Sequence, residues 1–395
     1  MCKFCIDSIS DHGAIVCGRR DFLKAMAAVS AATMAATASA LGTGSNAAGK
    51  YTVAVYYMPY WDTKAQWKGL ESVRPRYKGQ YQPEVPLWGP LVNSPATMEK
   101  YVHAMTTHGI NTIIFDWFRF QTTRKLEGPL TSFLKDASRH QIKFALMWAN
   151  PPGFGHRAAV GQRRFDQIAD DAIAYFKHPN YWTIDGKPYF SIYWLSTLLR
   201  EFGGVVKTRA ALDGFRRRAR KAGLPGLHLN LVTTSYIDEE AKIMLLTQGQ
   251  SMPDNPAKKI QTLGELVAAL GFDSTTWYTW MHWVTAMGEY KPWGNAAIAL
   301  WKKQPLPGIP FFPNVTMGWD GMPQGEGGLI VNNTPREFEG FLLKTRHWLD
   351  AHPASKNILT INAWNEWGEG SYLEPDVVHR MAYLDAVRKV FPPHK

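Results

Sequence analysis

The sequence predicts an α/β fold, a single (β/α)8 TIM barrel with extended βα loops. Three observations lead there. From Lys50 onward the 395-residue chain alternates short apolar runs, rich in β-branched and aromatic residues, with longer segments of helical period. The runs number eight, the count that closes a parallel barrel, and fall at 53–57, 112–117, 144–148, 189–194, 228–233, 275–280, 311–316 and 358–364. No Gly-rich phosphate turn follows the first of them, where a doubly wound open sheet normally carries one.

The segments between the runs supply crossover helices, for example at 96–108, 130–140, 162–176, 210–222 and 335–350. In the last of these Phe338, Phe341, Leu342 and Trp348 recur at helical spacing. The aromatic stretch 59–95 does not read as scaffold and is expected to be a βα-loop insertion. No internal repeat, low-complexity linker or charge block marks a second domain, so residues 50–395 are expected to form one catalytic unit.

The first forty residues are an address. Arg19-Arg20, then Phe22-Leu23, an Ala-rich apolar run and Ala38-Ser39-Ala40 have the order of a twin-arginine signal peptide, cleaved somewhere in 38–48. The run is too short and too Ala-rich to anchor the chain in a bilayer. The expected destination is the periplasm or the medium, with the twin-arginine translocase as the partner during export. All three cysteines (Cys2, Cys5, Cys17) lie in this leader, so the mature chain has no disulfide, thiolate ligand or Cys nucleophile.

Composition narrows the chemistry. The formal charge of +11 would suit an anionic partner. Its densest cluster, Arg216-Arg217-Arg218-Ala219-Arg220-Lys221, reads as a solvated helix face, and no nucleic-acid motif accompanies it. The 12 His are scattered without ligand spacing, and no metal or other cofactor is expected. The chain lacks a Gly-x-Ser-x-Gly elbow and a P-loop. Its 16 Trp, 16 Tyr and 19 Phe exceed ordinary usage; part belongs to the core, and the rest is expected to line a sugar-binding groove.

In a (β/α)8 barrel, catalytic groups sit at the C-terminal ends of the strands. Those ends carry Tyr56 and Tyr57, Asp116 and Trp117, Trp148 and Asn150, Tyr193, Trp319 and Asp320, then Asn365 and Trp367. Aromatic rings beside hydrogen-bonding side chains can stack a sugar and grip its hydroxyls, so these residues, with Glu374, are the candidate substrate-binding set. The candidate catalytic pair is Glu366 and Glu369. Glycosidic cleavage needs an acid for the leaving oxygen and a second carboxylate as base or nucleophile. Residues three apart on a helical turn lie about 5–6 Å apart, close to the separation in retaining enzymes.

At these residues the chain resembles the WbsX-like group related to glycoside hydrolase family 99. The resemblance rests on Val55-Tyr56-Tyr57-Met58-Pro59, Tyr81-Gln82-Pro83, Met147-Trp148-Ala149-Asn150 and His178-Pro179-Asn180-Tyr181 with Asp185-Gly186-Lys187-Pro188. It continues in Gly318-Trp319-Asp320, in Ala363-Trp364-Asn365-Glu366-Trp367-Gly368-Glu369-Gly370 and in Tyr372-Leu373-Glu374-Pro375. The resemblance implies a barrel that processes glycans. Family 99 enzymes are retaining endo-α-mannosidases; their first Glu deprotonates the sugar 2-hydroxyl to give a 1,2-anhydro intermediate, and their second is acid, then base. On that pattern Glu366 takes the first role and Glu369 the second. Gly368 stands where family 99 usually has His, so mannose specificity does not carry over. An exported retaining glycoside hydrolase acting on an oligo- or polysaccharide is the leading expectation. The alternatives are a glycosyltransferase or transglycosylase of polysaccharide metabolism and a non-catalytic glycan-binding barrel.

Overall fold

The first apolar run forms the strand Thr52–Tyr57 (β1) in the computed structural model. The structure describes residues 49–60, 67–68, 85–119, 126–136, 142–150, 161–235, 237–303, 306, 308–324 and 327–393. The remaining barrel strands are Thr112–Phe118 (β2), Lys143–Ala149 (β3), Lys187–Ile192 (β4), His228–Val232 (β5) and Ser274–Thr276 (β6). They are completed by a two-part β7, Phe311–Phe312 and Asn314–Thr316, and by Ile358–Asn362 (β8). All eight predicted runs are thus strands of one parallel sheet. Its register sets Val53 beside Leu359 on β8 and Ala54 beside Thr112 on β2.

The ring passes through β7, whose halves pair with different neighbours. Phe311 and Phe312 pair with Thr275 and Thr276 on β6, and Asn314 to Thr316 with Thr360 to Asn362 on β8. Pro313 sits at the break. It has no N–H to offer either ladder, and its carbonyl accepts the Thr360 N–H at 2.9 Å.

Around the barrel lie helices Pro95–Thr107 (α1), Gly128–Asp136 (α2), Gln162–Phe176 (α3), Leu195–Phe202 (α4) and Val205–Lys221 (α5). Ile237–Thr247 (α6), Leu263–Leu270 (α7), Tyr290–Trp301 (α8), Pro335–Ala351 (α9) and Ala382–Val390 (α10) follow. Local signals start them. Ser94 caps α1 by accepting the Thr97 N–H at 3.0 Å, and Thr334 caps α9 by accepting the Glu337 N–H at 3.4 Å, each before a Pro. On α9 the periodic residues Phe338, Phe341, Leu342 and Leu349 are buried. The arginine cluster is the outer face of α5; Arg216 pairs with Asp273 at 3.1 Å, and Arg218 with Asp166 and Asp170 of α3 at 2.7 and 2.9 Å.

A TIM-barrel interior is ordinarily filled by branched apolar side chains. This one is polar. Ser191 donates to Asn230 at 2.9 Å, and Asn230 to Ser274 at 2.8 Å. One level higher, Asn314 donates to Thr360 at 3.0 Å, and Thr276 and Thr360 share a 3.3 Å bond. Each group is satisfied by a neighbour, so the layers cost little to bury. The aromatic excess lies mostly outside the barrel wall, under the helices. Trp280 stacks on Tyr290 at 5.9 Å and meets Phe341 edge-on, while Trp301 meets Trp348. Among the described residues twelve of the 15 Trp are buried, so core packing takes a larger share of them than a sugar-lining role would leave.

The expected signal peptide, the Tyr81-Gln82-Pro83 block and most of the predicted insertion lie outside the described residues. No helix among the described residues is long and apolar enough to cross a membrane.

Candidate active site

Beyond β8 the chain turns back on itself. Asn365–Glu366 pairs antiparallel with Ser371–Tyr372, and a single 3-10 turn, Trp367–Glu369, joins them. Glu366 and Glu369 are 2% and 1% exposed. Gly370 closes the turn at φ +60°, where a side chain is strained, and an added Cβ would lie 2.9 Å from Asp320 Cβ. The Asp320 N–H donates to the Glu369 carbonyl at 2.7 Å. The loops after β7 and β8 are therefore locked together, which holds the backbone of Glu369 in place.

Glu366 lines a cavity together with Asp116, Tyr193, Tyr278, Met58, Phe118, Met147 and Ala149. The Tyr278 hydroxyl stands 2.6 Å from Glu366 Oε1 and 2.8 Å from Asp116 Oδ2. Its ring meets those of Tyr56 at 4.7 Å and Tyr193 at 5.3 Å. Glu369 belongs to the same neighbourhood, since its charge acts on Asp116, Tyr193 and Tyr278. Burial pushes the Asp116 carboxyl well above the usual carboxylate range; the Tyr278 hydroxyl opposes that shift, and Glu369 adds to it. The Tyr193 hydroxyl lies 3.3 Å from His282 Nε2. Burial lowers His282 to about 3, which keeps its imidazole neutral at physiological pH.

Tyr278 was absent from the residues picked out by strand ends. Its signal is the period of two: Ser274, Thr276 and Tyr278 follow one another at two-residue steps, and the first two face the barrel interior.

The same period separates residues that the sequence placed together. Tyr56 turns into the barrel, and Tyr57 turns outward onto Phe115 at 5.2 Å and Tyr101 at 6.3 Å. Asp116 faces the cavity, and Trp117 faces the helices, where its indole donates to Glu127 at 3.0 Å and meets Tyr175 and Phe190 edge-on. Trp148 packs on Phe165 of α3 at 5.8 Å. Tyr57, Trp117 and Trp148 are thus placed between barrel and helices, away from the cavity lining. For Trp148→Ala we expect a loss of about 3–5 kcal/mol of stability, as for other buried Trp truncations. An unchanged denaturant midpoint would exclude this packing role.

Two asparagines act on the backbone. Asn150 accepts from the Trp194 N–H at 2.7 Å and donates to the Trp194 carbonyl at 2.9 Å. Asn365 clasps Met58 in the same way, with both bonds at 2.9 Å. Each amide imitates a paired strand residue and ties one strand end to the next. Trp319 is 2% exposed, and its indole donates to the Gly327 carbonyl at 3.3 Å. Asp320 accepts the Met322 N–H at 3.0 Å, and burial raises its carboxyl to about 6. Trp367 stacks on Tyr372 at 3.7 Å and donates to Glu374 Oε2 at 2.8 Å, while Tyr101 donates to Glu374 Oε1 at 2.7 Å.

The family described as Glycosyltransferase WbsX matches residues 60–387. The chain belongs to the WbsX family. It is 26% identical over 342 residues to the "Uncharacterized protein WxcX" of Xanthomonas campestris pv. campestris, a match covering 82% of this chain and 46% of WxcX. This WbsX-family chain therefore spans about half the length of the curated relatives it matches. Among solved structures, a "Glycoside hydrolase-like protein" superposes with a TM-score of 0.55 at 14% identity, covering 90% of this chain and 97% of its own. The GH99 endo-alpha-mannosidase from Bacteroides thetaiotaomicron superposes with a TM-score of 0.52 at 14% identity, covering 86% and 95%. At such identities the likeness establishes the fold, the barrel that the sequence predicts.

Proposed function

We propose that this WbsX-family chain is an exported retaining glycoside hydrolase that cleaves a glycan with Glu366 and Glu369. The observation that carries the reading is the position of Glu366, on the cavity wall and bonded to Tyr278, with Glu369 three residues along the same buried turn. In this reading Glu366 takes the proton of the sugar 2-hydroxyl as that oxygen attacks the anomeric carbon. Glu369 protonates the departing oxygen and then takes a proton from the water that attacks the anomeric carbon, while Glu366 returns its proton to O2 as the C1–O2 bond breaks. Asp116 and Tyr193 contact the sugar from the cavity, and Tyr56 supports them from below. Trp319 and Asp320 border the site from the loop after β7, while Asn150, Asn365, Trp367 and Glu374 hold its walls. The GH99 neighbour makes endo-acting α-mannoside cleavage the first activity to assay.

The family's description as a glycosyltransferase supports a second reading, transfer of a sugar between donor and acceptor. Product analysis on a panel of α-glycans, with and without nucleotide sugars, separates the two. Hydrolysis fragments are expected without any nucleotide sugar. Products that form only in its presence would replace hydrolysis by transfer, and binding without turnover would leave a glycan-binding barrel.

Export is proposed on the Arg19-Arg20 pair. Because a receptor reads that pair, replacing both residues by Lys should trap uncleaved precursor in the cytoplasm. Undiminished recovery of processed protein outside the cytoplasm would end the export reading.

A further inference from the structure

Tyr278 has one hydroxyl proton but stands within hydrogen-bond distance of two carboxyls, Glu366 Oε1 at 2.6 Å and Asp116 Oδ2 at 2.8 Å. It can donate to only one of them. The other bond forms only if that carboxyl holds a proton and donates it to the Tyr278 oxygen.

The bond lengths choose between the two, and two further features favour a neutral Asp116. The lengths differ as charge requires: 2.6 Å suits a hydroxyl on an ionised carboxylate, and 2.8 Å suits two neutral oxygens. Asp116 Oδ1 is buried and has no hydrogen-bond partner among the described residues. A carboxylate there would leave half of its charge without a donor, whereas the carbonyl oxygen of a neutral acid costs far less to bury. Finally, Asp116 is faced by Tyr278 from beyond β6, by Tyr193 from beyond β4, by Tyr56 from β1, and by Glu366 and Glu369 from beyond β8. With Glu366 ionised, a negative charge on Asp116 would be opposed across the shared Tyr278 hydroxyl.

We propose that Asp116 is held as a neutral carboxylic acid whose proton rests on Oδ2 and is donated to Tyr278, while Tyr278 donates its own proton to Glu366. Burial moves the Asp116 carboxyl in the same direction. The consequence for the reaction rests on the hydrolase reading of the site. Besides its contact with the sugar, Asp116 then has a positioning role through Tyr278; it fixes the direction of the Tyr278 hydroxyl and thereby keeps Glu366 ionised and ready to accept a proton.

Infrared difference spectroscopy on the purified protein at neutral pH reads the proton directly, because a carboxylic acid has a carbonyl stretching band that a carboxylate lacks. Asp116→Asn, nearly isosteric and still a donor to Tyr278, should remove one such band. Glu366→Gln should leave it in place, and Tyr278→Phe should shift it by removing its acceptor. Loss of the band in Glu366→Gln, with retention in Asp116→Asn, would put the proton on Glu366 and overturn the proposal. So would the absence of any band that answers to Asp116→Asn in a variant with a normal melting curve. In the catalytic arm, Tyr278→Phe should move the acid limb of kcat/KM to higher pH by about one unit, since Glu366 loses a donor to its charged form. An unmoved limb would overturn the influence on Glu366. If no glycan is turned over at all, the hydrolase reading fails while the infrared result still decides where the proton lies.

Discussion

Glu369→Gln is expected to lower turnover of a natural glycan by about 10²–10⁴-fold, the usual worth of a general acid, while leaving the fold intact. Gln is close to Glu in size, and the turn that carries residue 369 is held by backbone contacts, above all the 2.7 Å bond from the Asp320 N–H to the Glu369 carbonyl. The loss should shrink sharply on a substrate whose leaving group departs without protonation, because such a substrate has no use for the missing proton. Glu366→Gln should behave differently. Removing the base blocks the attack itself, so natural and activated substrates should fail together. The measurement is the ratio of rates on the two substrate types for each variant, beside a melting curve. Equal ratios in two well-folded variants would remove the division of roles, and near-wild-type rates would remove the pair from catalysis.

The scaffold was legible because its signal is redundant. Eight runs of β-branched and aromatic residues at regular intervals, separated by segments of helical period, leave few folds open. The break in β7 is written in Pro313, which cannot donate to either neighbouring ladder. The site was legible only as neighbourhoods. Grouping residues by strand end treated Asp116 with Trp117 and Tyr56 with Tyr57 as equivalents, although successive strand residues face opposite ways. Tyr278 escaped for the converse reason: the predicted run extends to 280, whereas β6 stops at Thr276, so a residue just past the true strand end lay hidden inside the run. The asparagine clasps could not be read at all, because their partners are the backbone groups of Trp194 and Met58. A backbone group leaves no mark in the amino-acid string. Identifying such roles takes the tertiary register.

A large pH effect on stability is expected from Glu374. It is 2% exposed, with both carboxylate oxygens engaged by Tyr101 and Trp367, and burial nonetheless raises it to about 7 against those two bonds. The sign follows from proton counts. Below the ordinary value of 4.5 the acid is protonated in folded and unfolded chains alike, so it contributes no slope. Between 4.5 and about 7 the unfolded chain ionises first and the folded chain holds more protons, so stability falls as pH rises. Above that window the slope from this group ends, after a total loss of about 3 kcal/mol. Glu374→Gln should remove this slope. Its carboxamide oxygen still accepts from the Trp367 indole, and its amino group can donate to the Tyr101 oxygen. Glu374→Ala should do worse than either, because the buried indole N–H and phenol lose their acceptor, at about 1–3 kcal/mol each. Trp367 lies between Glu366 and Glu369, so loosening it should also lower kcat more than KM changes. Melting temperatures of the three proteins from pH 4.5 to 8 test this, and the difference between wild type and the Gln variant cancels the contribution of Asp320, the other raised carboxyl at the loop junction. Parallel curves for those two proteins would mean that Glu374 stays ionised throughout, held by its two donors despite its burial.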